Sequence, residues 1–179
     1  IELGNPSIKN GCFIKSSIIK CVELESKTIA SAIVTNPINK NIMYKSGFKY
    51  AGHTEFLAAF SKKTIQPVMM LVSKDLKTVP LTIHVPLKEV PNLITKDLIL
   101  STVKITSKYL KKYFGINKPR IVITGLNPHS GENGDIGLEE KKIIIPCIND
   151  IKENSSILLN GPFSADTIFS YQQRQTYDV

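Results

Sequence analysis

Tryptophan is absent and arginine nearly so: of the 23 basic residues, only Arg120 and Arg174 are arginine. Base-edge readout and base stacking favour arginine and aromatic side chains, and no stretch pairs the two. The formal charge of +8 therefore reads as a lysine-biased solvated surface, one that would still draw small anions. No apolar run is long enough to span a bilayer. The start, Ile1-Glu2-Leu3-Gly4, has neither the basic end nor the apolar core of a signal peptide. A cytoplasmic protein with no nucleic-acid or membrane partner is expected. Cys12, Cys21 and Cys147 are odd in number and show no C-x-x-C spacing, which argues against a disulfide framework or a zinc ribbon. Reduced, buried, structural thiols are expected instead. No repeat, low-complexity tract or clear linker is present. An initiator methionine is also missing, so the chain reads as an internal piece of a longer protein.

What is present suits a folded α/β protein. The 179 residues are 42% hydrophobic and 21% charged, enough for one domain with a real core. Thr28 to Val34 reads as a buried strand that breaks at Thr35-Asn36-Pro37. A short helix is expected from Ile38 to Ser46, stopped by Gly47. Thr54 is the expected N-cap of a second helix with Phe56, Leu57 and Phe60 on one face. Val68 to Val72 reads as a buried strand, Lys74-Asp75 as a turn, and Thr78 to Ile83 as the next strand. The best helix starts at Thr95 with Asp97 in its first turn, carries apolar residues from Leu98 to Phe114, and ends at Gly115. Arg120 to Thr124 is a short β-branched run, hence a buried strand. Glu139 to Asn154 looks helical, with Pro146 implying a kink or break. Ile157-Leu158-Leu159 is a short strand turned by Gly161-Pro162. Strands alternating with helices indicate a layered sheet with flanking helices.

The most informative stretch is Gly125-Leu126-Asn127-Pro128-His129-Ser130-Gly131-Glu132-Asn133-Gly134, which follows the strand at 120–124. Ligands of open α/β sheets gather where strands end and loops begin. His84 repeats the arrangement, because Leu81-Thr82-Ile83 runs into His84-Val85-Pro86. Two imidazoles at strand ends could meet across one cleft. His53, the third histidine, also sits beside a turn. Spacing alone carries no metal signature, and position alone favours an ordinary surface or hydrogen-bonded role for each histidine. Glu55, Glu132, Asp135 and Asp166 could complete a site or act as caps; Asp166 beside Thr167 looks like an N-cap. The loop at 125–134 has neither a Walker pattern nor a dinucleotide fingerprint. Its glycines would admit an anion to backbone N–H groups, or simply make a flexible connection.

Five motifs occur in order: Thr35-Asn36-Pro37-Ile38-Asn39-Lys40, Gly52-His53-Thr54-Glu55-Phe56, His84-Val85-Pro86-Leu87, Gly125 to Glu132, and Gly161-Pro162-Phe163-Ser164-Ala165-Asp166-Thr167. Together they closely resemble the 4-hydroxythreonine-4-phosphate dehydrogenase family of pyridoxine biosynthesis. The resemblance covers the middle half or so of the family enzyme. An N-terminal Gly-Pro-rich motif is missing, and a Tyr-His-Asp segment is expected shortly after Val179.

The resemblance implies an isocitrate/isopropylmalate-dehydrogenase-like fold and a homodimer with shared active sites. It implies that His84 and His129 bind a divalent metal, completed by a third histidine from the partner subunit. Zinc is the best match to imidazole, with magnesium and cobalt as alternatives. His53 and Thr54 would bind the phosphorylated substrate. Lys40 and Asp166 are catalytic candidates by position, and NAD or NADP is the implied hydride acceptor. The activity implied is oxidation of 4-phosphooxy-threonine followed by loss of CO2. The rivals are a sister dehydrogenase of phosphorylated threonate or erythronate, a non-catalytic metal- or phosphate-binding module, and a metallohydrolase using Glu132 or Asp135 as base. The isolated segment is expected to be inactive.

Overall fold

The computed structural model describes residues 4–61 and 66–179. The chain divides into two compact units, Ile1–Pro67 and Val68–Val179, each with its own apolar cluster. Composition alone suggested one core.

The described part of the first unit is helical. Helix α1 spans Gly11–Ser26, α2 Lys40–Lys45 and α3 His53–Phe60. Its core gathers Ile18, Met43, Phe48 and Phe56. Edge-on ring contacts join Phe48 to Phe56 at 5.0 Å and Phe56 to Phe60 at 4.9 Å, a geometry favoured by the ring quadrupoles. Helix α2 lies within the expected range; the Asn39 side chain accepts a hydrogen bond from the Ile42 N–H at 3.1 Å.

Two expectations fail in this unit. Thr28 to Val34 is an irregular segment, with Val34 94% exposed. A β-branched run becomes a strand only with a ladder partner, and this unit has no strand among its described residues. Helix α3 begins one residue before the expected cap: Gly52 is the N-cap and Thr54 lies in the first turn. Helix α1 was not expected at all. Only Gly11, Ile18 and Val22 are buried along it, and Phe13 is exposed, so its apolar stripe is too thin to stand out.

The second unit is α/β. Strands β1 (Leu71–Val72) and β2 (Lys77–Thr78) pair antiparallel around the expected turn, where the Ser73 N–H donates to the Leu76 carbonyl at 2.8 Å. Both residues of β1 are exposed, and residues 79–83 leave the ladder. The buried strand 68–72 and the long strand 78–83 are thus corrected to a two-residue hairpin. Pro80, which has no N–H to donate, stands just past the last paired residue.

A four-residue helix, α4 (Val90–Leu93), precedes α5 (Lys96–Phe114). Helix α5 starts and stops as its caps predict. Thr95 Oγ1 accepts the Leu98 N–H at 3.2 Å, and Gly115 closes the helix. Its inward face is Ile99, Thr102, Val103, Thr106 and Leu110.

Strand β3 (Arg120–Thr124) is central here. It pairs parallel with β4 (Leu158–Phe163). On its other edge, the Asp178 N–H donates to the Arg120 carbonyl and the Val122 N–H to the Val179 carbonyl, at 2.8 and 3.0 Å. Strand β4 runs through Gly161-Pro162, where a turn was expected, by bulging against Val122 and Thr124. Only glycine fits at 161, since a Cβ there would collide with the Ile123 carbonyl oxygen.

Between the two strands, the expected helix 139–154 is split. A π-helical turn at Glu140–Ile144 leads into α6 (Ile145–Asn154). Pro146 sits in the first turn of α6 directly after the π turn, and it has no N–H to return to that turn. Short helices α7 (Ala165–Ile168) and α8 (Tyr171–Arg174) close the unit. The crossover β3–α6–β4 is the parallel βαβ unit that the alternating pattern predicts.

Candidate functional site

Three histidine-bearing places and two further candidates can be built from their elements. In the first unit, His53 opens α3, and the glycine N-cap gives no side-chain bond to the first-turn N–H groups. A helix end of that kind favours an anion. His53 Nε2 is buried without a hydrogen-bond partner among the described residues. A buried nitrogen left unpaired costs roughly 1–3 kcal/mol, so a ligand oxygen there would be stabilising. Glu55 shares this first turn and opposes an anion. Lys40 is the exposed first residue of α2.

In the second unit, His84 is exposed and its backbone is left-handed, with φ 57°. That conformation is uncommon for residues other than glycine, though histidine tolerates it better than most. His129 ends the approach from β3. Asn127 Oδ1 accepts the N–H groups of both His129 and Gly131, at 3.0 and 3.1 Å. Residues Ser130, Gly131, Glu132, Asn133 and Gly134 then have φ of 51°, 72°, 43°, 57° and 100°. Five left-handed residues in sequence make a left-handed turn, which costs non-glycine residues about 1–2 kcal/mol each. The His129 imidazole is exposed, with Nδ1 3.6 Å from Glu132 Oε1.

The segments leading into the two histidines line one cavity. Val79 to Thr82 bound it on one side, Ile121 to Leu126 on another, and its volume is about 380 Å³. His84 lies two residues past Thr82, and His129 three past Leu126. Asp166 lies in the first turn of α7, not at its N-cap; that position belongs to Ser164.

Both His84 and His129 are exposed, and Glu132 Oε1 lies 3.6 Å from Nδ1 of His129, beyond hydrogen-bond distance. Among the described residues, however, no three His, Cys, Asp or Glu side chains come together as a metal-holding group. The described residues by themselves therefore supply no complete coordination shell.

The sulfur chemistry is plain. All three cysteines are free. Cys147 is buried, and desolvation raises its thiol pKa, which keeps it unreactive. Cys12 is exposed and Cys21 half-buried, so the expectation of buried thiols holds fully only for Cys147. No helix among the described residues is long and apolar enough to cross a membrane.

With this geometry in place, the kinship is decisive. The model of the family described as pyridoxal phosphate biosynthetic protein PdxA matches residues 1–179. The chain belongs to the PdxA family. It is 44% identical over 180 residues to the 4-hydroxythreonine-4-phosphate dehydrogenase of Bradyrhizobium diazoefficiens, covering 99% of this chain and 52% of that one. The crystal structure of the Klebsiella pneumoniae 4-hydroxythreonine-4-phosphate dehydrogenase superposes with a TM-score of 0.88 at 28% identity, covering 99% of this chain and 54% of that one. The Burkholderia phymatum enzyme superposes with a TM-score of 0.82 at 34% identity, covering 99% and 53%. The chain thus spans about half the length of the relatives it matches.

Within this PdxA-family chain, sequence reasoning missed one residue at the His129 loop. Glu140 is 2% exposed, and its Oε1 accepts the Leu126 N–H at 2.7 Å. The expected helix from Glu139 places it near a helix start, and nothing local in the sequence marks it as buried. The available signal was the glycine pattern of the loop. A Cβ at Gly131 would sit 2.7 Å from Glu140 Oε2, so the buried carboxylate requires glycine there.

Proposed function

We propose that the chain is the part of a 4-hydroxythreonine-4-phosphate dehydrogenase that supplies two metal-binding histidines and the phosphate seat. The observation carrying this reading is that the backbones entering His84 and His129 border one cavity, in a chain matched to the PdxA family over its whole length. Kinship with 4-hydroxythreonine-4-phosphate dehydrogenases and with a pyridoxal phosphate biosynthetic family supports 4-phosphooxy-threonine as substrate and pyridoxal phosphate synthesis as the pathway.

In this reading His84 and His129 hold a divalent cation, zinc by donor type and magnesium or cobalt as alternatives. The partner subunit of a homodimer contributes a third histidine. The cation, when bound, supplies positive charge against the negative charge that develops on the substrate oxygen. The nicotinamide of NAD or NADP takes the hydride. His53 and Thr54 bind the phosphate end, supported by the open start of α3 and the unpartnered Nε2 of His53. Lys40 and Asp166 remain candidates for moving the hydroxyl proton; both are exposed and open to substrate. Oxidation of the carbinol gives a 3-oxo acid, which loses CO2 to leave 3-amino-2-oxopropyl phosphate.

The parallel β3–α6–β4 crossover supports an isocitrate/isopropylmalate-dehydrogenase-like layered sheet. Residues 1–179 are read as the central part of a single dehydrogenase chain, in a cytoplasmic protein. The test is turnover by the full-length protein. Reduction of NAD(P)+ with 4-phosphooxy-threonine, faster than with phosphorylated threonate or erythronate, is expected. Preference for the sugar acids would move the protein to the sister activity.

A further inference from the structure

We propose that Glu140 is the positioning residue for His129. The proposal rests on the reading of His129 as a metal ligand, but its geometry stands apart from that reading. The Glu140 carboxylate touches the loop on both sides of the histidine. Oε1 accepts the N–H of Leu126, three residues before it, at 2.7 Å. Oε2 packs beside the Cα of Gly131, two residues after it, where a Cβ would approach to 2.7 Å. The backbone between is held from inside by Asn127.

Both holds act on an unfavourable conformation. Ser130, Glu132 and Asn133 are non-glycine residues with φ of 51°, 43° and 57°, so the turn relaxes unless its surroundings hold it. The carboxylate is itself an expensive clamp. It is 2% exposed, and Oε2 has no hydrogen-bond partner among the described residues. A buried carboxylate with an unpaired oxygen is unfavourable for stability alone; fixing a loop whose histidine must stay put accounts for it. The π-helical turn that bears Glu140 fits this reading, since such wide turns concentrate at functional sites.

In this role Glu140 acts through the backbone of residues 126–131. A glutamine keeps an oxygen for the Leu126 N–H, whereas alanine removes it. Aspartate keeps the charge but is one methylene too short.

The experiment uses full-length protein carrying Glu140→Ala, Glu140→Gln or Glu140→Asp, with two readouts. The first is hydrogen exchange, by mass spectrometry, of the peptide covering 120–131. The second is a Co2+ titration followed by the absorption of the bound ion. Glu140→Ala should speed exchange at least tenfold and weaken Co2+ binding about tenfold or more. Glu140→Gln should restore both to within about threefold of the parent. Where Glu140→Ala does not fold, Glu140→Asp should show the same loosening. Parental exchange in Glu140→Ala or Glu140→Asp overturns the proposal, as does Glu140→Gln behaving like Glu140→Ala. If His129→Ala binds Co2+ as well as the parent, the metal reading fails by itself; the exchange readout and the glutamine rescue still decide whether Glu140 holds the turn.

Discussion

His53 and His129 are held by opposite devices. His53 starts a regular helix whose first turn follows from local geometry, and Phe56, one turn on, anchors that helix in the first unit's core. Its backbone is ordinary helix, steadied by apolar packing on Ile18, Met43 and Phe48. His129 precedes a left-handed turn that local preference opposes, and it is held by Asn127 two residues before it and Glu140 eleven residues after it. A helix end can offer an oxyanion several donors with modest accuracy. In the proposed metal site the strained, clamped turn would fix the backbone that carries the His129 ring.

The largest expected effect separates the two seats by chemistry. In the full-length protein, His129→Ala or His84→Ala should remove bound metal and turnover together, with turnover falling by orders of magnitude. His53→Ala should leave metal content intact and mainly raise KM. Metal analysis beside steady-state kinetics reads both, and metal loss in His53→Ala would erase the distinction.

Backbone preference tests the clamped turn next. Gly131→Ala puts a side chain where φ is 72° and the carboxylate stands 2.7 Å away. It should destabilise the protein by about 1–3 kcal/mol, measured by urea unfolding. At the first helix start, Gly52→Ala meets nothing closer than Glu55 Oε2 at 3.4 Å and should cost well under half of that. Equal losses would contradict the contrast.

These comparisons also mark what the sequence could disclose. Helix α5 was legible because Thr95, Asp97 and Gly115 are local signals whose physics acts within a turn. Strand β3 was legible because its β-branched run has a real partner in β4. Thr28 to Val34 also carries β-branched residues but has no ladder partner among the described residues, so it is no strand. Helix α1 hid behind a thin stripe, and Pro146 disclosed a break without disclosing the π turn that absorbs it. Glu140 was invisible because its role depends on a contact 14 residues away with Leu126. His84 and His129 were named from motifs, while the cavity beside their backbones needed three dimensions.

A smaller effect belongs to the fastening of β3. Asp178 accepts hydrogen bonds from the Arg120 N–H, Nε and Nη2 at 2.7, 3.2 and 3.0 Å. Burial raises the Asp178 pKa, but the hydrogen bonds and charge of Arg120 outweigh it, and the net shift is downward. A carboxylate with a depressed folded pKa stabilises the fold above its unfolded value, about 3.9, and loses that contribution as pH falls through the folded value. Asp178→Asn should cost about 1–2 kcal/mol at neutral pH. The gap from the parent should narrow below about pH 4; a gap constant in urea unfolding from neutral pH to below that value would contradict the assignment.

The smallest expected effect concerns thiols. Cys12 should react with a maleimide in the native protein, while Cys147, buried and with its pKa raised, should react only on unfolding. Peptide mapping after brief labelling reads this directly.

The most direct test of the central claim is NAD(P)+ reduction by the full-length protein with 4-phosphooxy-threonine, run beside its His129→Ala variant in matched divalent metal. The account predicts robust turnover by the parent and its loss, together with the metal, in the variant. Parental turnover in a variant that has lost its metal, or no turnover by the metal-loaded parent, would contradict it.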